Sequence, residues 1–402
     1  MNCRVCASLD VLEVFAIPPI PLVGEFTKEP NIHPDLFPIT VLHCDNCKVL
    51  QIKENIDSDR LFHEYSFSSS TVAGLVRHFS DYAEWIWKRY KPVKVLEVGC
   101  NDGVLLEPLA KFGVEVFGLD ISENITELAK SKGLNVQALK FGSENAEEVL
   151  AWAGRVDFLT ASNTFPHNDD PNGFLETVGK LLTPNGKLAL EVMYAGSLQV
   201  SLQWDTIYHE HLHFHSLLSL QNLLQRHGYY LEYAEVVPMH AGSLRIIATK
   251  QKPVSAPEVE LILKQEFETG LNSRENWESF ASKCWESIDT ARNMLIERQK
   301  FGKVWAYGAA GRATMWIKVA RLDFIERVID SSPLRASHFM PGSSIPIVFP
   351  QELNVDQNVK TVFVTAWNYA EGIAAQHPEF QGLWVVPLPE YLEFTGKKEP
   401  RN

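Results

Sequence analysis

The feature that most constrains the fold of this chain is the regular alternation of short apolar strands and helices after residue 93. Residues 94–98 form an apolar strand, 104–112 a helix and 114–120 a second strand. Such alternation predicts an α/β fold with a doubly wound, mostly parallel sheet. The further predicted elements are helices at 125–132 and 173–182, strands at 135–139, 156–161 and 187–192, and a closing antiparallel pair at 229–237 and 243–250.

A helix is predicted immediately before this alternating region, at about residues 71–89. The apolar and polar residues of this stretch repeat with a helical period. We therefore expect its aromatic side chains to form the packing face of an amphipathic helix; these are Phe79, Tyr82, Trp85 and Trp87.

Size and charge limit the classes of protein to which the chain can belong. A length of 402 residues suggests two or three domains, and 45% hydrophobic with 22% charged residues is typical of a globular protein. The net charge of −13 disfavours nucleic acid as the main ligand, because neutralising phosphates requires a basic surface. An anionic small molecule is not disfavoured, since a few local Arg or Lys residues suffice to bind it.

The sequence gives no sign of a membrane or secretory protein. No apolar run approaches the roughly 18 residues of a membrane span. The segment Met1-Asn-Cys-Arg-Val-Cys6 lacks the apolar stretch of a signal peptide. We therefore expect a cytoplasmic protein that binds neither nucleic acid nor membranes. The composition is typical of a monomer, and no heptad run argues otherwise.

Four of the six cysteines form two Cys-x-x-Cys pairs, Cys3/Cys6 and Cys44/Cys47. This spacing lets two thiolates reach one tetrahedral ion, so two pairs in a cytosolic chain predict a structural zinc site with four thiolate ligands. A redox pair at Cys44 and Cys47 is the alternative, but it leaves the first pair unexplained. The surrounding segment is too small to bury an adequate core without the metal.

A glycine turn at the end of the first strand of the sheet indicates a cofactor. Leu96-Glu-Val-Gly-Cys-Asn-Asp-Gly103 differs from the Gly-x-Gly-x-x-Gly pattern of dinucleotide enzymes, and its acidic residue would repel a pyrophosphate. S-adenosylmethionine has no phosphate and carries cationic groups, so it is the preferred ligand, ahead of a nicotinamide cofactor or a purely structural turn. The candidate cofactor residues are Gly99, Asn101, Asp102, Gly103, Asp120 at the end of the second strand, and Asn163, for which a turn or cap role is equally plausible.

A second α/β region is predicted near the end of the chain. Residues 258–299 are charged and helical, and strands follow at 303–307, 324–330, 361–365 and 383–387, with a helix up to residue 321. This pattern is typical of a Rossmann-like unit or half of one. We expect a zinc-binding domain at 1–62, a methyltransferase domain at 63–255, and a helical connection with a Rossmann-like substrate domain at 256–402.

The segment from Asp205 to Ser216 concentrates titratable side chains. It contains one tyrosine, one glutamate and four histidines, and it follows the predicted cofactor sheet. Groups that titrate near neutral pH serve proton transfer, although alternating histidines also occur in metal clusters or on a solvated strand. Acid–base chemistry is the preferred interpretation.

These motifs together resemble the nucleotide-sugar 3-C-methyltransferases of antibiotic deoxysugar pathways. The resemblance covers nearly the whole chain and implies a zinc-binding domain, a class I methyltransferase domain and a C-terminal Rossmann-like domain. The motifs are the two cysteine pairs, Leu96 to Gly103, Tyr208-His-Glu-His211, His240-Ala-Gly-Ser-Leu-Arg245, Tyr307-Gly-Ala309, Pro341-Gly-Ser-Ser-Ile-Pro346 and Ala366-Trp-Asn-Tyr369.

The resemblance implies methylation of a carbon next to a ketone, through an enolate. His211 would remove the proton, Tyr208 and His167 would donate hydrogen bonds to the substrate, and Glu210 would orient the group. His167 can equally be an ordinary loop histidine, and His209, His213 and His215 are expected to be structural or solvent-facing. Three residues are candidates for contacting the substrate: Tyr65, Arg245 and Arg312. The alternative for Tyr65 is a plain linker residue, and for Arg245 a strand residue paired with an acid. The alternative for Arg312 is a residue of a domain that only packs.

One motif departs from the resemblance. The C-terminal turn of the family usually continues with a Lys-Gly-Asn-Thr-like run, whereas this chain has Ala310-Gly-Arg-Ala-Thr-Met315, where Arg312 replaces the lysine as the cation. This departure concerns the substrate more than the chemistry. The alternative functions are an O- or N-methyltransferase of another natural product and a non-catalytic scaffold that binds zinc and S-adenosylmethionine.

Overall fold

The computed structural model describes residues 1–62, 65 and 67–396. These residues form two compact units, and the chain passes between them several times. The first unit comprises Met1–Glu13, Val41–Ser197 and Glu210–Asn276, and the second comprises Val14–Thr40, Leu198–His209 and residues 277–396. No helix within the described ranges is both long enough and apolar enough to span a bilayer.

The N-terminal region folds as a small antiparallel sheet that carries the cysteine pairs. The strands lie in the order β1-β2-β3-β9, and Leu50 of β3 pairs with Phe214 of β9, a strand contributed from much later in the chain. The elements are β1 (Val11–Ile20), β2 (Phe37–Cys44), β3 (Leu50–Ile52), α1 (Ser58–Phe62) and, from the later segment, β9 (His213–Phe214).

The first unit is built around a seven-stranded sheet in the order β10-β11-β8-β7-β4-β5-β6. The strands from β8 to β6 in this order are parallel, and β11 and β10 complete the sheet as the predicted antiparallel pair. The elements are α2 (Ala73–Tyr90), β4 (Lys94–Val98), α3 (Leu106–Lys111), β5 (Glu115–Asp120), α4 (Glu123–Ser131), β6 (Val136–Ala138), α5 (Ala146–Ala153), β7 (Val156–Ser162), α6 (Pro171–Leu181), β8 (Leu182–Met193), α7 (Ala195–Val200), α8 (Leu217–Arg226), β10 (Tyr230–Val237) and β11 (Ser243–Thr249).

The doubly wound class is confirmed, and two details of the prediction are wrong. Trp87 does not lie on the packing face of α2, since it is 37% exposed and stacks on Phe112. The helical repeat of about 3.6 residues places Phe79, Tyr82 and Ile86 on the buried side, and Trp87 falls outside that stripe. The strand β8 begins earlier than predicted because Leu182, expected to end the preceding helix, pairs with Val156.

Two helices lead to a second sheet, as predicted, and Gly270, with φ +65°, lies between them. This sheet has the order β14-β13-β12-β15-β16-β17, with parallel pairing except between β16 and β17. The predicted strand at 324–330 is limited to β13 because a turn occupies residues 322–325. The elements are α9 (Pro257–Thr269), α10 (Arg274–Arg298), β12 (Lys303–Tyr307), α11 (Gly311–Val319), β13 (Val328–Ile329), β14 (Ile347–Val348), β15 (Val359–Val364), α12 (Ala370–Ala375), β16 (Leu383–Val386) and β17 (Leu392–Thr395).

Candidate active site

The four cysteines of the two Cys-x-x-Cys pairs converge on one point. All four sulfur atoms lie within 4.8 Å of one another, with Cys3 Sγ 3.6 Å from Cys47 Sγ and Cys6 Sγ 3.5 Å from Cys44 Sγ. A disulfide requires about 2.05 Å between sulfurs, whereas four thiolates around a zinc ion at about 2.3 Å lie about 3.8 Å apart. The distances therefore fit a tetrahedral metal site, which accounts for both cysteine pairs, whereas a redox pair at Cys44 and Cys47 accounts for one of them.

The backbone around the cysteines is shaped to aim both thiols of each pair at this point. Ala7 N–H donates to the carbonyl of Cys3, and Lys48 N–H donates to that of Cys44, both at 2.8 Å. Ala7 and Lys48 adopt left-handed conformations, with φ of 59° and 66°. Asn46 Nδ2 lies 3.4 Å from Cys6 Sγ, where an amide donor stabilises a thiolate. Four protein ligands leave no open position, so the zinc is structural.

The predicted glycine turn lies at the carboxyl edge of the first sheet. Gly99 has φ +71°, and its N–H donates to the carbonyl of Leu119 at 2.7 Å. A Cβ at Gly99 would lie 1.8 Å from Oγ1 of Thr164, so only glycine fits there. Directly after the adjacent strand β7, Asn163 has φ +58° and donates its N–H to the carbonyl of Glu191 at 2.7 Å. Both turns leave the edge of the sheet open.

A cavity of about 190 Å³ occupies this edge and is lined by residues of the first unit alone. Parallel α/β sheets bind ligands at this edge, where neighbouring connections leave on opposite faces. Seven of the predicted site residues and motif neighbours line it: Tyr65, Glu97, Gly99, Asn101, Asp120, Asn163 and His167.

Two carboxylates make one wall of the cavity suited to a cationic ligand. Glu97 is 2% exposed, and its Oε2 has no hydrogen-bond partner among the described residues. Burial, together with the nearby Asp120 and Asp102, raises the pKa of Glu97 well above its usual value. Asp120 accepts N–H bonds from Asn101 and Ser122, both at 3.0 Å, and burial raises its pKa as well. An ammonium or sulfonium group in the cavity offsets this crowding of negative charge.

Two residues of the predicted motif lie outside the residues that line the cavity. Asp102 is 1% exposed and accepts hydrogen bonds from the hydroxyl of Ser68 at 2.7 Å and the N–H of Ser70 at 3.1 Å. Gly103 faces Leu134, whose Cδ1 would lie 2.1 Å from an added Cβ. The bonds of Asp102 hold the segment before α2 against the turn.

The Asn101 side chain has the same anchoring role, although the residue lines the cavity. Its Oδ1 accepts the N–H of Ser69 at 2.9 Å, and its Nδ2 donates to the carbonyl of Phe67 at 3.0 Å. The side-chain amide is therefore already engaged.

The histidines of the predicted acid–base site are paired next to this cavity. The rings of His167 and His211 have centroids 4.9 Å apart and planes inclined by 58°. Burial lowers the pKa of His167 to about 4, despite opposing backbone hydrogen bonds at Glu210 and Asn163, so its imidazole is neutral at pH 7. Glu210 is 8% exposed, and burial raises its pKa to about 7. The first unit thus brings His167, Glu210 and His211 together.

The remaining histidines of the segment are buried. His213 Nδ1 and His215 Nε2 lie 2.9 Å apart, and His215 Nδ1 lies 2.8 Å from the hydroxyl of Ser219. Burial lowers the pKa of His215 to about 3, so this pair stays neutral and structural. In the second unit, a ring nitrogen of His209 lies 3.1 Å from the carbonyl of Pro38.

The boundary between the two units falls inside the Tyr208-His-Glu-His211 motif. Tyr208 belongs to the second unit, and its ring lies at the start of α11: a Cβ on Gly311 would be 3.0 Å from Tyr208 Cζ. Arg312, the next residue of that helix, bonds to Asn368 Oδ1 at 3.1 Å and lies over the Trp367 ring at 4.9 Å.

Two other predicted substrate residues occupy different environments. Tyr65 lines the cavity, and its backbone N–H and carbonyl both bond to the side chain of Asn124. Arg245 is 6% exposed and bonds to Glu191 at 2.7 Å and Glu235 at 3.0 Å, and its guanidinium stacks 3.7 Å from the Tyr82 ring centroid. These contacts of Arg245 correspond to the alternative given above, a strand residue paired with an acid.

Among the lining residues that were not predicted site residues, Glu97 and His240 belong to motifs quoted above. Glu97 is part of the quoted strand motif, and the sequence signal for it is an acidic residue two positions before the turn glycine Gly99. His240 begins the motif His240 to Arg245 and holds a left-handed conformation with φ 51°. Left-handed non-glycine residues concentrate at functional sites, but the sequence does not reveal the dihedral angle.

Three families match consecutive parts of the chain. Residues 3–62 match a "putative zinc binding domain", residues 69–234 a methyltransferase domain, and residues 238–389 a C-methyltransferase C-terminal domain. These matches, the cysteine cluster and the acid-lined cavity agree on S-adenosylmethionine and structural zinc as the cofactors.

Individual relatives match nearly the whole chain or a shorter part of it. C-methyltransferase NovU of Streptomyces niveus is 28% identical over 405 residues, which cover 97% of this chain and 96% of NovU. The ubiquinone biosynthesis O-methyltransferase of Coxiella burnetii is 35% identical over 95 residues, which cover 23% of this chain and 41% of that protein.

Solved structures of methyltransferases match part of the chain. Magnesium protoporphyrin IX methyltransferase from Synechocystis, with bound S-adenosylhomocysteine, is 17% identical and has a TM-score of 0.37, covering 44% of this chain and 84% of that one. The three consecutive family matches are the stronger finding, since they account for most of the sequence in one order. The chain is an S-adenosylmethionine-dependent methyltransferase whose consecutive parts are similar to a zinc-binding domain, a methyltransferase domain and a C-methyltransferase C-terminal domain.

Proposed function

We propose that this methyltransferase acts on carbon, alpha to a ketone, and that its acceptor is a nucleotide-linked 4-keto-deoxysugar. The observation that carries the proposal is the contact between the His167 and His211 rings, at 4.9 Å, beside a buried Glu210. An oxygen or nitrogen acceptor has a lone pair and needs at most one base. A carbon acceptor first loses a proton, and the resulting enolate needs hydrogen-bond donors.

The proposed roles follow the protonation states of His167 and Glu210. His211 takes the proton from the carbon next to the ketone, and the C–H electron pair becomes an enolate. His167, neutral because its pKa is about 4, donates its N–H to the developing oxyanion, and Tyr208 donates a second hydrogen bond. Glu210 becomes a carboxylate above its pKa of about 7 and stabilises the imidazolium at His211. S-adenosylmethionine, when bound, supplies the electrophilic methyl group.

Deuterium exchange tests enolate formation without methyl transfer. The protein is incubated in D₂O with S-adenosylhomocysteine and a panel of 4-keto-deoxysugar nucleotides, and exchange at the carbon next to the ketone is followed by NMR. We expect exchange with the correct acceptor, and a loss of about 10²–10⁴-fold in His211→Asn. His209→Asn is the matched control and retains exchange.

Product analysis separates the alternatives. Labelled S-adenosylmethionine with the same panel should give a new C–CH₃ bond. An O- or N-methyl product without exchange would establish the alternative reaction. The protein would then differ in its acceptor atom from NovU, which is named a C-methyltransferase. Binding without any transfer would establish the scaffold alternative.

We also propose that the second unit holds the nucleotide end of the acceptor. Arg312 lies at the second residue of α11, where backbone N–H groups and the helix dipole favour an anion. Tyr65, on the cavity wall, is proposed to contact the sugar. Arg312→Ala should raise the KM for the acceptor and leave S-adenosylmethionine affinity unchanged. If neither changes, the second unit does not hold the nucleotide.

A further inference from the structure

A buried carboxylate just before the Tyr208-His-Glu-His211 motif receives two tryptophan N–H bonds. Asp205 is 0% exposed, and its Oδ2 accepts Trp316 Nε1 at 3.1 Å and Trp367 Nε1 at 2.9 Å. These residues come from α11 and from the segment after β15, so two distant parts of the second unit meet at one oxygen. Its Oδ1 has no hydrogen-bond partner among the described residues, and Arg312 Nε is 4.0 Å away.

Burying the carboxylate of Asp205 costs free energy, which indicates that this side chain holds a neighbouring part of the structure in place. A buried carboxylate loses its hydration, and burial raises the pKa of Asp205 although Arg312, Trp367 and Trp316 oppose the shift. The surrounding turn is rigid as well: Trp204 is 0% exposed and packs edge-on against Trp316, with ring centroids 4.6 Å apart. The turn Trp204–Thr206 is therefore anchored by packing and by hydrogen bonds at once.

The same helix that anchors Asp205 also supports the ring of Tyr208. A Cβ at Gly311 would lie 3.0 Å from Tyr208 Cζ and 3.1 Å from Val23 Cγ2, so the absent side chain makes room for the phenol ring. Asp205 and Tyr208 are three residues apart, and both contact α11 within its first six residues. Helix α11 therefore both packs against the ring of Tyr208 and holds the backbone at Asp205.

We propose that Asp205, Trp316 and Trp367 form a positioning device for Tyr208, called here the indole clamp. It rests on the proposed function, in which Tyr208 donates a hydrogen bond to the substrate. The second unit then contributes to the chemistry by holding a donor in place, in addition to any part in acceptor binding. In this proposal Asp205, Trp316 and Trp367 contact no reacting atom and act by positioning Tyr208. Because the Arg312 guanidinium lies 4.9 Å from the Trp367 ring, Trp316→Phe, which leaves that ring in place, is the cleaner test.

Replacing one indole by a phenyl ring removes one N–H donor from Asp205 and also some buried volume, so the test needs a control that loses the same volume. Trp367→Phe and Trp316→Phe each retain an aromatic ring but leave Asp205 short of a donor. We expect kcat to fall about 10-fold in each, since small misplacements of catalytic groups cost about this much or more. The KM for the acceptor and the Kd for S-adenosylmethionine should stay within about 2-fold. Trp305→Phe is the matched control, because Trp305 is buried in the same unit and its Nε1 has no partner among the described residues.

A double-mutant cycle with Tyr208→Phe separates positioning from general damage. If the clamp acts through Tyr208, Trp367→Phe should lower kcat by less than about 2-fold in the Tyr208→Phe background. Additive losses would overturn the proposal. Gly311→Ala, which displaces the Tyr208 ring and leaves the indole bonds intact, should reproduce the kcat loss and covers the case in which a tryptophan variant does not fold.

The outcomes also separate this inference from the proposed function. If Tyr208→Phe alone leaves kcat unchanged, the proposed role of Tyr208 fails and the clamp proposal falls with it. If Tyr208→Phe lowers kcat but Trp316→Phe, Trp367→Phe and Gly311→Ala do not, only the clamp is wrong. Deuterium exchange into the acceptor, measured on the same variants, shows whether the loss lies in enolate formation.

Discussion

The two sheets of this protein use the same glycine turn for different purposes. In the first unit, Asp120 at the end of β5 accepts the N–H of Asn101 in the turn after β4, at 3.0 Å. In the second unit, Asp330 directly after β13 accepts the N–H of Ala309 in the turn after β12, at 2.8 Å. Both carboxylates tie a turn to the neighbouring strand. The backbone construction is therefore shared.

The surroundings of the two turns differ. Asp120 lines a cavity beside Glu97, a second carboxylate with an unpartnered oxygen. Asp330 is bonded to Arg335 at 3.0 Å, and the ring of Tyr208 packs at Gly311 where the helix begins. The first turn is open to a cationic ligand, whereas the second is closed to one, because Arg335 already pairs with Asp330 and the ring of Tyr208 packs at Gly311. A Rossmann-like turn by itself therefore does not identify a ligand site; the groups around it do.

The largest difference between the units should appear on removal of zinc. The cysteine cluster belongs to the first unit, and the second unit shows no such group within the described ranges. Structural zinc contributes folding free energy directly, so stripping it with 1,10-phenanthroline should unfold the N-terminal sheet and separate one thermal transition into two. Calorimetry with and without added zinc measures this. A single, unshifted transition would show that the cluster holds no structural metal.

Alanine at each glycine turn should separate cofactor binding from catalysis. At Gly99 the left-handed backbone and a Cβ 1.8 Å from Thr164 Oγ1 force the turn to move, so Gly99→Ala should weaken S-adenosylmethionine binding at least about 100-fold by calorimetric titration. Gly311→Ala should leave that affinity unchanged and lower kcat. If Gly99→Ala and Gly311→Ala weakened S-adenosylmethionine binding equally, the two turns would not differ in function.

The sequence predicted the frame of both units because their strands and helices are periodic and their turns carry glycine. It also predicted the zinc site, since Cys-x-x-Cys spacing describes the local geometry of two ligands. The sequence did not show that Asn101 lines the cavity whereas Asp102 does not. The direction of a side chain in a tight turn depends on neighbours such as Ser68 and Ser70. Adjacent residues of one motif therefore face different surroundings.

The predicted catalytic residues show the same limit. His167 and His211 were proposed from the resemblance, and their contact joins positions 44 residues apart, which no local pattern reveals. The bonds from Trp316 and Trp367 to Asp205 span 111 and 162 residues. Long-range contacts of this kind depend on the packing of whole elements, so their partners cannot be read from spacing.

Removing the charge at Glu97 should have a moderate effect on the open turn. Glu97→Gln should weaken S-adenosylmethionine binding about 10-fold, because one charge-assisted contact is lost. The same change should raise the melting temperature of the protein without cofactor, because it removes a buried acid with an unpaired oxygen. Since the pKa of Glu97 is raised well above its usual value, a bound cation should lower it and release a proton. Titrations in buffers of different ionisation enthalpy detect this release. Asp330→Asn in the closed turn should leave cofactor affinity unchanged.

The smallest expected effect is the pH dependence that Glu210 confers. Burial raises the pKa of Glu210 to about 7, so the carboxyl is protonated below that pH and becomes a carboxylate as the pH rises through it. Only the carboxylate stabilises the imidazolium formed at His211, so kcat/KM should rise severalfold between about pH 6 and 8. Glu210→Gln has no such ionisation, and its profile should lose this rise and stay at the lower rate. His167 stays neutral throughout, because its pKa is about 4, and adds no step in this range. If the variant keeps the full rise, another group controls the reaction, and the assignment of Glu210 is wrong.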